Sequence, residues 1–116
     1  IRYGWDVGKQ IGALDIGQCV VVKDRVIVAV EAVEGTDGAI RRGGELAHGG
    51  AVVVKRSKPQ QDLRFDLPAV GPRTIEVMEA VKASVLALEA GRGILLDRDE
   101  TIASANRAGI AIVGVT

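Results

Sequence analysis

Three runs of this chain are nearly pure valine and its apolar relatives: Cys19-Val20-Val21-Val22, Val26-Ile27-Val28-Ala29-Val30 and Ala51-Val52-Val53-Val54. β-Branched side chains are stiff at χ1 and favour extended backbone. Neighbouring residues of a strand point to opposite faces, so a run that is apolar at every position is apolar on both faces. A sheet of such strands must be covered on both sides, and helices are the usual cover. These runs therefore point to a layered α/β chain.

The rest of the chain supplies the helices. Residues 1–17 mix glycine, polar and apolar residues and read as an irregular lead-in. Gln18–Lys23 and Val26–Val33 are expected strands, joined at Asp24-Arg25 by a two-residue hairpin. Arg25 matches poorly the positive φ that such turns prefer. Thr36 or Asp37 is placed to cap a short helix running to about His48, weakened by Gly43-Gly44 and ended by Gly49-Gly50. Ala51–Lys55 is a third strand. Pro72 suits the first turn of a second helix, which the spacing of Ile75, Met78 and Val81 carries to about Ala83. Val85–Glu89 and Ile94–Leu96 follow as strands about the turn Gly91-Arg92-Gly93. Asp97, with Glu100 three residues on, imitates a capping box for a last helix that Gly109 closes. Ile110–Val115 is the final strand. The expected fold is α/β, with α+β as the alternative: a mixed, partly parallel sheet of about five or six strands with about three helices.

Length and composition set bounds on function. At 116 residues the chain is one domain by size. Tyr3, Trp5 and Phe65 are its only aromatics, and Lys plus Arg balance Asp plus Glu at zero net charge. Neither an electrostatic footprint nor a stacking platform for nucleic acid is present, so no nucleic-acid partner is expected. The lone Cys19 cannot form an internal disulfide, which fits a reducing compartment. No apolar run approaches the roughly 20 residues of a membrane-spanning helix. The chain begins at Ile1 rather than Met, so a preceding segment, a leader or a further domain, is expected.

All three prolines, Pro59, Pro68 and Pro72, fall within Lys55–Arg73. Proline fixes φ and removes a donor, so this stretch is neither a long helix nor a central strand. Between Arg41 and Arg73 stand seven cations (Arg41, Arg42, Lys55, Arg56, Lys58, Arg64 and Arg73) against three acids, Glu45, Asp62 and Asp66. Arginine and lysine there are suited to hold a diphosphate. Asp62 and Asp66 are suited to Mg²⁺, which takes oxygen ligands and joins phosphates to one or two carboxylates. A bound metal also lowers the pKa of a water. The competing reading is a solvated crossover loop, and pattern alone does not separate the two.

A second group is Glu31, Glu34 and Asp37 around Gly35-Thr36. Thr36 sets backbone N–H groups at a helix N-terminus, which attracts phosphate, with Arg41 and Arg42 one turn on. The plainer account makes Thr36 or Asp37 a cap and the two glutamates solvated strand ends. His48 reads as a residue compensating a helix C-terminus and Cys19 as a small buried apolar side chain. No Ser-His-Asp order, zinc spacing, Walker loop or dinucleotide fingerprint occurs.

Four stretches together resemble a known family: Gly12-Ala13-Leu14-Asp15-Ile16-Gly17-Gln18, Ala29-Val30-Glu31-Ala32-Val33-Glu34-Gly35-Thr36-Asp37, Lys58-Pro59-Gln60-Gln61-Asp62-Leu63-Arg64-Phe65-Asp66 and Val70-Gly71-Pro72-Arg73-Thr74. The chain resembles the C-terminal domain of the LpxI-type UDP-2,3-diacylglucosamine pyrophosphatases of Gram-negative bacteria, from about Gly4 to Gly114. The resemblance implies a magnesium-dependent hydrolase of lipid A biosynthesis that splits UDP-2,3-diacylglucosamine into 2,3-diacylglucosamine 1-phosphate (lipid X) and UMP. It implies a cytoplasmic protein, with peripheral contact to the inner membrane where the acylated substrate resides. Asp62 is the expected catalytic residue, with Asp62, Asp66 and Asp37 as metal or structural partners. Lys58, Gln61, Arg64, Thr36 and Arg41 are expected to bind phosphate or sugar, and Asp15 with Gln18 the substrate more loosely.

Two departures stand out. Gln60 occupies a position where the family usually has glycine, so the turn before Asp62 is expected to differ in backbone. The family's N-terminal domain is missing from these residues, so a site between two domains would be half built and the domain alone inactive. The rival reading is a non-catalytic anion-binding or homodimerisation domain, motivated by valine-rich strand edges that invite pairing.

Overall fold

A computed structural model describes residues 1–58 and 69–116. The expected site residues Gln61, Asp62, Arg64 and Asp66 lie outside the described residues. In chain order the elements are α1 (Arg2–Ala13), β1 (Cys19–Lys23), β2 (Val26–Val30), α2 (Gly35–Ala47), β3 (Val52–Lys55), β4 (Ala69–Val70), α3 (Pro72–Ala80), β5 (Val85–Glu89), β6 (Ile94–Leu95), α4 (Arg98–Ala108) and β7 (Ala111–Val115). Among the described residues the fold is α/β, with four helices and a mixed sheet.

The main sheet has the order β2-β1-β3-β5-β7. β1 is antiparallel to both β2 and β3, while β3, β5 and β7 are parallel. The β1–β2 turn is the expected one, and Asp24 and Arg25 both take positive φ, 51° and 63°, as a type I′ turn demands. The strand expected at Ile94–Leu96 forms, but outside this sheet: β6 pairs in parallel with β4 as a separate two-stranded unit.

The parallel crossovers β2→β3, β3→β5 and β5→β7 all advance the same way across the sheet. Right-handed crossovers then deliver α2, α3 and α4 to one face. There Val21, Val53 and Leu86 of the sheet meet Ile40 of α2, Ile75 and Met78 of α3 and Ala105 of α4. Burial of each large member is worth about 1.5–3 kcal/mol. Gly43 and Gly44 weaken α2 as an isolated helix but permit its packing: a Cβ on Gly43 would stand 2.7 Å from Val21 Cβ, and one on Gly44 2.3 Å from Val81 Cγ2.

The opposite face is covered by α1, which corrects the irregular lead-in expected for residues 1–17. Gly4, Trp5, Gly8, Ile11 and Gly12 form its buried stripe. Trp5 packs with Val54, Ala87 and Val115, and Ile11 with Val20 and Val22. A Cβ on Gly4 would come within 2.8 Å of Val22 Cγ2, so glycine here brings the helix axis close to the sheet. Arg56, just past β3, lies over the Trp5 ring at 4.0 Å and donates from Nη1 to the Trp5 carbonyl at 3.1 Å.

The capping expectations for Thr36, Asp37 and the Asp97–Glu100 pair are also corrected. α2 begins after Glu34 and α4 after Asp97, and neither start has a side-chain cap. At the C-terminal ends, Gly109 closes α4 in the left-handed region as expected, whereas α2 is ended by His48, itself left-handed, one residue before the expected Gly49-Gly50. Among the described residues no helix is long and apolar enough to cross a membrane.

Candidate functional site

Parallel strands end together, so β3, β5 and β7 present their carboxyl ends along one edge of the sheet. The register of β1 brings its start to the same edge, with Cys19 opposite Lys55, and the Glu31 N–H, just past β2, reaches the Cys19 carbonyl at 2.9 Å. Four connections therefore meet there: residues 14–18 before β1, Glu31–Glu34 before α2, Arg56–Lys58 after β3, and the turn after Glu89. In open α/β sheets ligands gather outside this edge.

Side-chain contacts join these connections. Lys58 Nζ lies 2.9 Å from Asp15 Oδ1. Arg73, in the first turn of α3, donates from Nε to Asp37 Oδ2 at 3.1 Å. Gly17 lies so near Glu31 that a Cβ on it would fall 2.1 Å from the Glu31 carbonyl oxygen. Lys55 Nζ donates to the Ala69 carbonyl at 3.0 Å, tying the end of β3 to the start of β4. The Lys58–Asp15 and Arg73–Asp37 pairs each have one side chain open to solvent, Asp15 at 68% and Arg73 at 74% exposure, against a half-buried partner. Exposed pairs contribute only about 0–1 kcal/mol, so these add little to stability.

The expected residues divide accordingly. Asp15 and Lys58 are brought together directly. Gln18 contributes its backbone, its carbonyl accepting from the Arg56 N–H at 3.0 Å. Thr36 turns its hydroxyl onto Glu31 Oε2 at 2.7 Å, so a carboxylate already faces the first turn of α2. Arg41 lies further along α2, in a shallow cleft shared with Arg73 and Glu76. Arg42 turns back to the Val30 carbonyl at 3.0 Å and to Glu34 at 2.8 Å. The hydrogen bond from Arg42 holds the exposed Glu34 carboxyl below its usual range. Cys19 is fully buried; burial first, and then the Glu31 carboxylate, push its thiol up to about 12. It is a core residue and not a nucleophile.

The residue-by-residue reading passed over Ser57 and Glu89. The Ser57 N–H and hydroxyl both donate to Glu89 Oε2, at 3.0 Å and 2.5 Å. An acid ending a strand and a serine before a lysine are ordinary in sequence, and only the parallel β3–β5 pairing joins them.

The donor set also bears on Mg²⁺. Asp15, Glu31, Asp37 and Glu89 each already accept from a neighbouring side chain. Among the described residues no group of three or more acids, histidines or cysteines is placed to hold a metal ion. The described carboxylates alone do not form a cation site.

Comparisons with known proteins bear on the family and the fold. A family model described as the LpxI C-terminal domain matches residues 1–113. The UDP-2,3-diacylglucosamine pyrophosphatase LpxI of Caulobacter vibrioides is 41% identical over 118 residues, covering 95% of this chain and 42% of that protein. The chain thus spans about two fifths of that relative's length. Among solved structures, Acinetobacter baumannii RibD superposes with a TM-score of 0.56 at 15% identity, over 97% of this chain and 34% of that one. At that identity the likeness is one of fold alone.

Proposed function

The chain belongs to the LpxI C-terminal domain family, and from that premise we propose that it is the C-terminal part of a hydrolase acting on UDP-2,3-diacylglucosamine. The bond cleaved is the pyrophosphate, giving 2,3-diacylglucosamine 1-phosphate and UMP in lipid A biosynthesis. Activity requires the N-terminal domain, which supplies the opposite wall of the site.

One observation carries the reading. Stretches far apart in sequence meet at the carboxyl edge of the sheet: Asp15 with Lys58, Gly17 with Glu31, and Asp37 with Arg73. These contacts link all four of the stretches on which the family resemblance rests. A purely structural loop has no reason to unite them at the edge where α/β proteins bind ligands.

The chemistry follows from residue types. Lys58 is held by an exposed carboxylate, which an incoming phosphate can replace at little cost. Arg73 stands on the α2–α3 side of the same edge, with Arg41 further along α2 in the shallow cleft they share, and guanidinium groups suit phosphate oxygens. Gln61 and Arg64 join Lys58 in binding the diphosphate or the sugar, and Thr36, Asp15 and Gln18 line the approach. Asp62 is the catalytic acid or base. Asp62 and Asp66, with Asp37, would hold Mg²⁺, which neutralises phosphate charge and acidifies a bound water. The acyl chains place the working enzyme in the cytoplasm against the inner membrane, as a peripheral protein.

The test is turnover of UDP-2,3-diacylglucosamine by the full-length protein with and without Mg²⁺, wild type against Asp62→Ala. Losing an essential metal or activating group costs several kcal/mol in the barrier, so Asp62→Ala is expected to fall by about a thousandfold or more in kcat. Near-normal turnover by Asp62→Ala, or full activity in excess chelator, removes the corresponding assignment.

A further inference from the structure

Ser57 and Glu89 have no part in the chemistry above, yet they stand at its base. Ser57 lies two residues beyond β3 and is only 6% exposed, an unusual state for a serine entering a loop. Its backbone N–H and its hydroxyl converge on one oxygen, Glu89 Oε2, at 3.0 Å and 2.5 Å. Glu89 ends β5, and the β3–β5 ladder stops one step earlier, at Lys55 opposite Leu88. Beyond that point the ladder offers Ser57 no acceptor, and the carboxylate takes its place. Bonds to an ionised acceptor are short and strong, and here both main chain and side chain of one residue are held. The next residue is Lys58, whose exposed pair with Asp15 fixes little by itself.

We propose that Glu89 and Ser57 form a positioning pair for the candidate site. The clamp fixes the backbone at residue 57 and so sets where the Lys58 ammonium is presented beside Asp15. Neither residue needs to touch substrate. The role in turnover rests on the pyrophosphatase reading, whereas the clamp itself does not.

Four forms of the full-length protein test it: wild type, Ser57→Ala, Glu89→Ala and Glu89→Gln, the last keeping an acceptor oxygen. Hydrogen exchange at the Ser57 amide reads the clamp without any assumption about the reaction. That amide is expected to exchange at least about tenfold faster in Glu89→Ala than in wild type, with Glu89→Gln close to wild type. With UDP-2,3-diacylglucosamine, Glu89→Ala and Ser57→Ala are expected to lose about tenfold to a hundredfold in kcat through misplacement, with unfolding midpoints showing a folded protein. Glu89→Gln is expected to recover most of the loss, which a merely destabilising change would not predict. Unchanged exchange in Glu89→Ala overturns the clamp. Normal kcat in a folded Ser57→Ala, or a glutamine variant as poor as the alanine one, overturns the positioning role. Wild-type protein that fails to hydrolyse the substrate sinks the pyrophosphatase reading, and the role in turnover with it, and leaves exchange to decide the clamp.

Discussion

Replacing Gly17 by alanine puts a methyl group where the Glu31 carbonyl stands. The new Cβ would lie 2.1 Å from that oxygen, 2.9 Å from its carbon and 3.2 Å from Glu31 Cβ. The nearest contact is roughly 1 Å shorter than carbon–oxygen packing allows. The oxygen is not free to retreat, because its residue's N–H is bonded to the Cys19 carbonyl at 2.9 Å where β2 ends beside β1. Overpacking of this kind costs about 1–3 kcal/mol, and loosening the adjoining backbone bond adds about 0.5–1.5 kcal/mol. The stiffer unfolded chain of an alanine variant returns about 0.4–1 kcal/mol. The net expectation is a destabilisation centred on about 2 kcal/mol, with Asp15 displaced from Lys58. Urea unfolding measures the first, and KM for the substrate the second. Gly93→Ala is the control: its Cβ would meet the Glu89 carbonyl at 3.4 Å and Leu88 Cβ at 3.6 Å, ordinary contact, and it should stay within about 0.5 kcal/mol of wild type. If Gly17→Ala behaves like Gly93→Ala, the close approach of residues 14–18 to Glu31 is wrong.

Other expectations follow from single contacts. With its thiol pushed up to about 12, Cys19 should resist a disulfide reagent at pH 8 in the folded chain and react only on addition of denaturant; rapid labelling without denaturant would place it at the surface. Arg56→Ala removes the guanidinium over Trp5 and its bond to the Trp5 carbonyl, but also a buried Nε that lacks a hydrogen-bond partner among the described residues, so the net loss should be about 1–3 kcal/mol. A changed Trp5 emission spectrum should accompany that loss, and an unaltered spectrum would contradict the stacking. The Glu34 carboxyl is lowered from its usual 4.5 by Arg42, so its stabilising effect is present above that pH and is lost as pH falls through the folded-state value. Arg42→Ala should return the Glu34 titration, followed by NMR, toward 4.5, and added salt should shrink the difference.

Elements whose partners are local were legible in the residues. The valine runs and the Asp24-Arg25 turn need only their neighbours, and they form where the pattern put them, except that β2 stops at Val30 rather than Val33. Helix α1 was not legible, because Gly4, Gly8 and Gly12 argue against a helix by intrinsic propensity. What favours it is non-local, since Gly4 lets the helix lie against Val22 and Val54 of the sheet and Gly8 lets it lie against Val20 and Arg56. Their spacing of four, beside Trp5 and Ile11, was the available signal. Thr36 failed as a cap because α2 already starts at Gly35, so Thr36 lies inside the helix, where its hydroxyl donates to Glu31, five residues back. In the site, Asp15 and Lys58 were each singled out, but their meeting across 43 residues depends on sheet order. Ser57 and Glu89, 32 residues apart, carried no sign of each other.

The separation of the two faces of the sheet has a thermodynamic consequence. The core shared with α2, α3 and α4 draws no residue from α1. Detachment of α1 therefore leaves a sheet still covered on its larger side, and such an opening is a sub-global event with a free energy of its own. Asp15 travels with the end of that helix, so only the closed population presents it to Lys58. For a ligand held at Asp15 and Lys58, apparent affinity would be the intrinsic affinity scaled by the closed fraction. A change at Trp5, where the helix grips the sheet, becomes a change in how often the site exists.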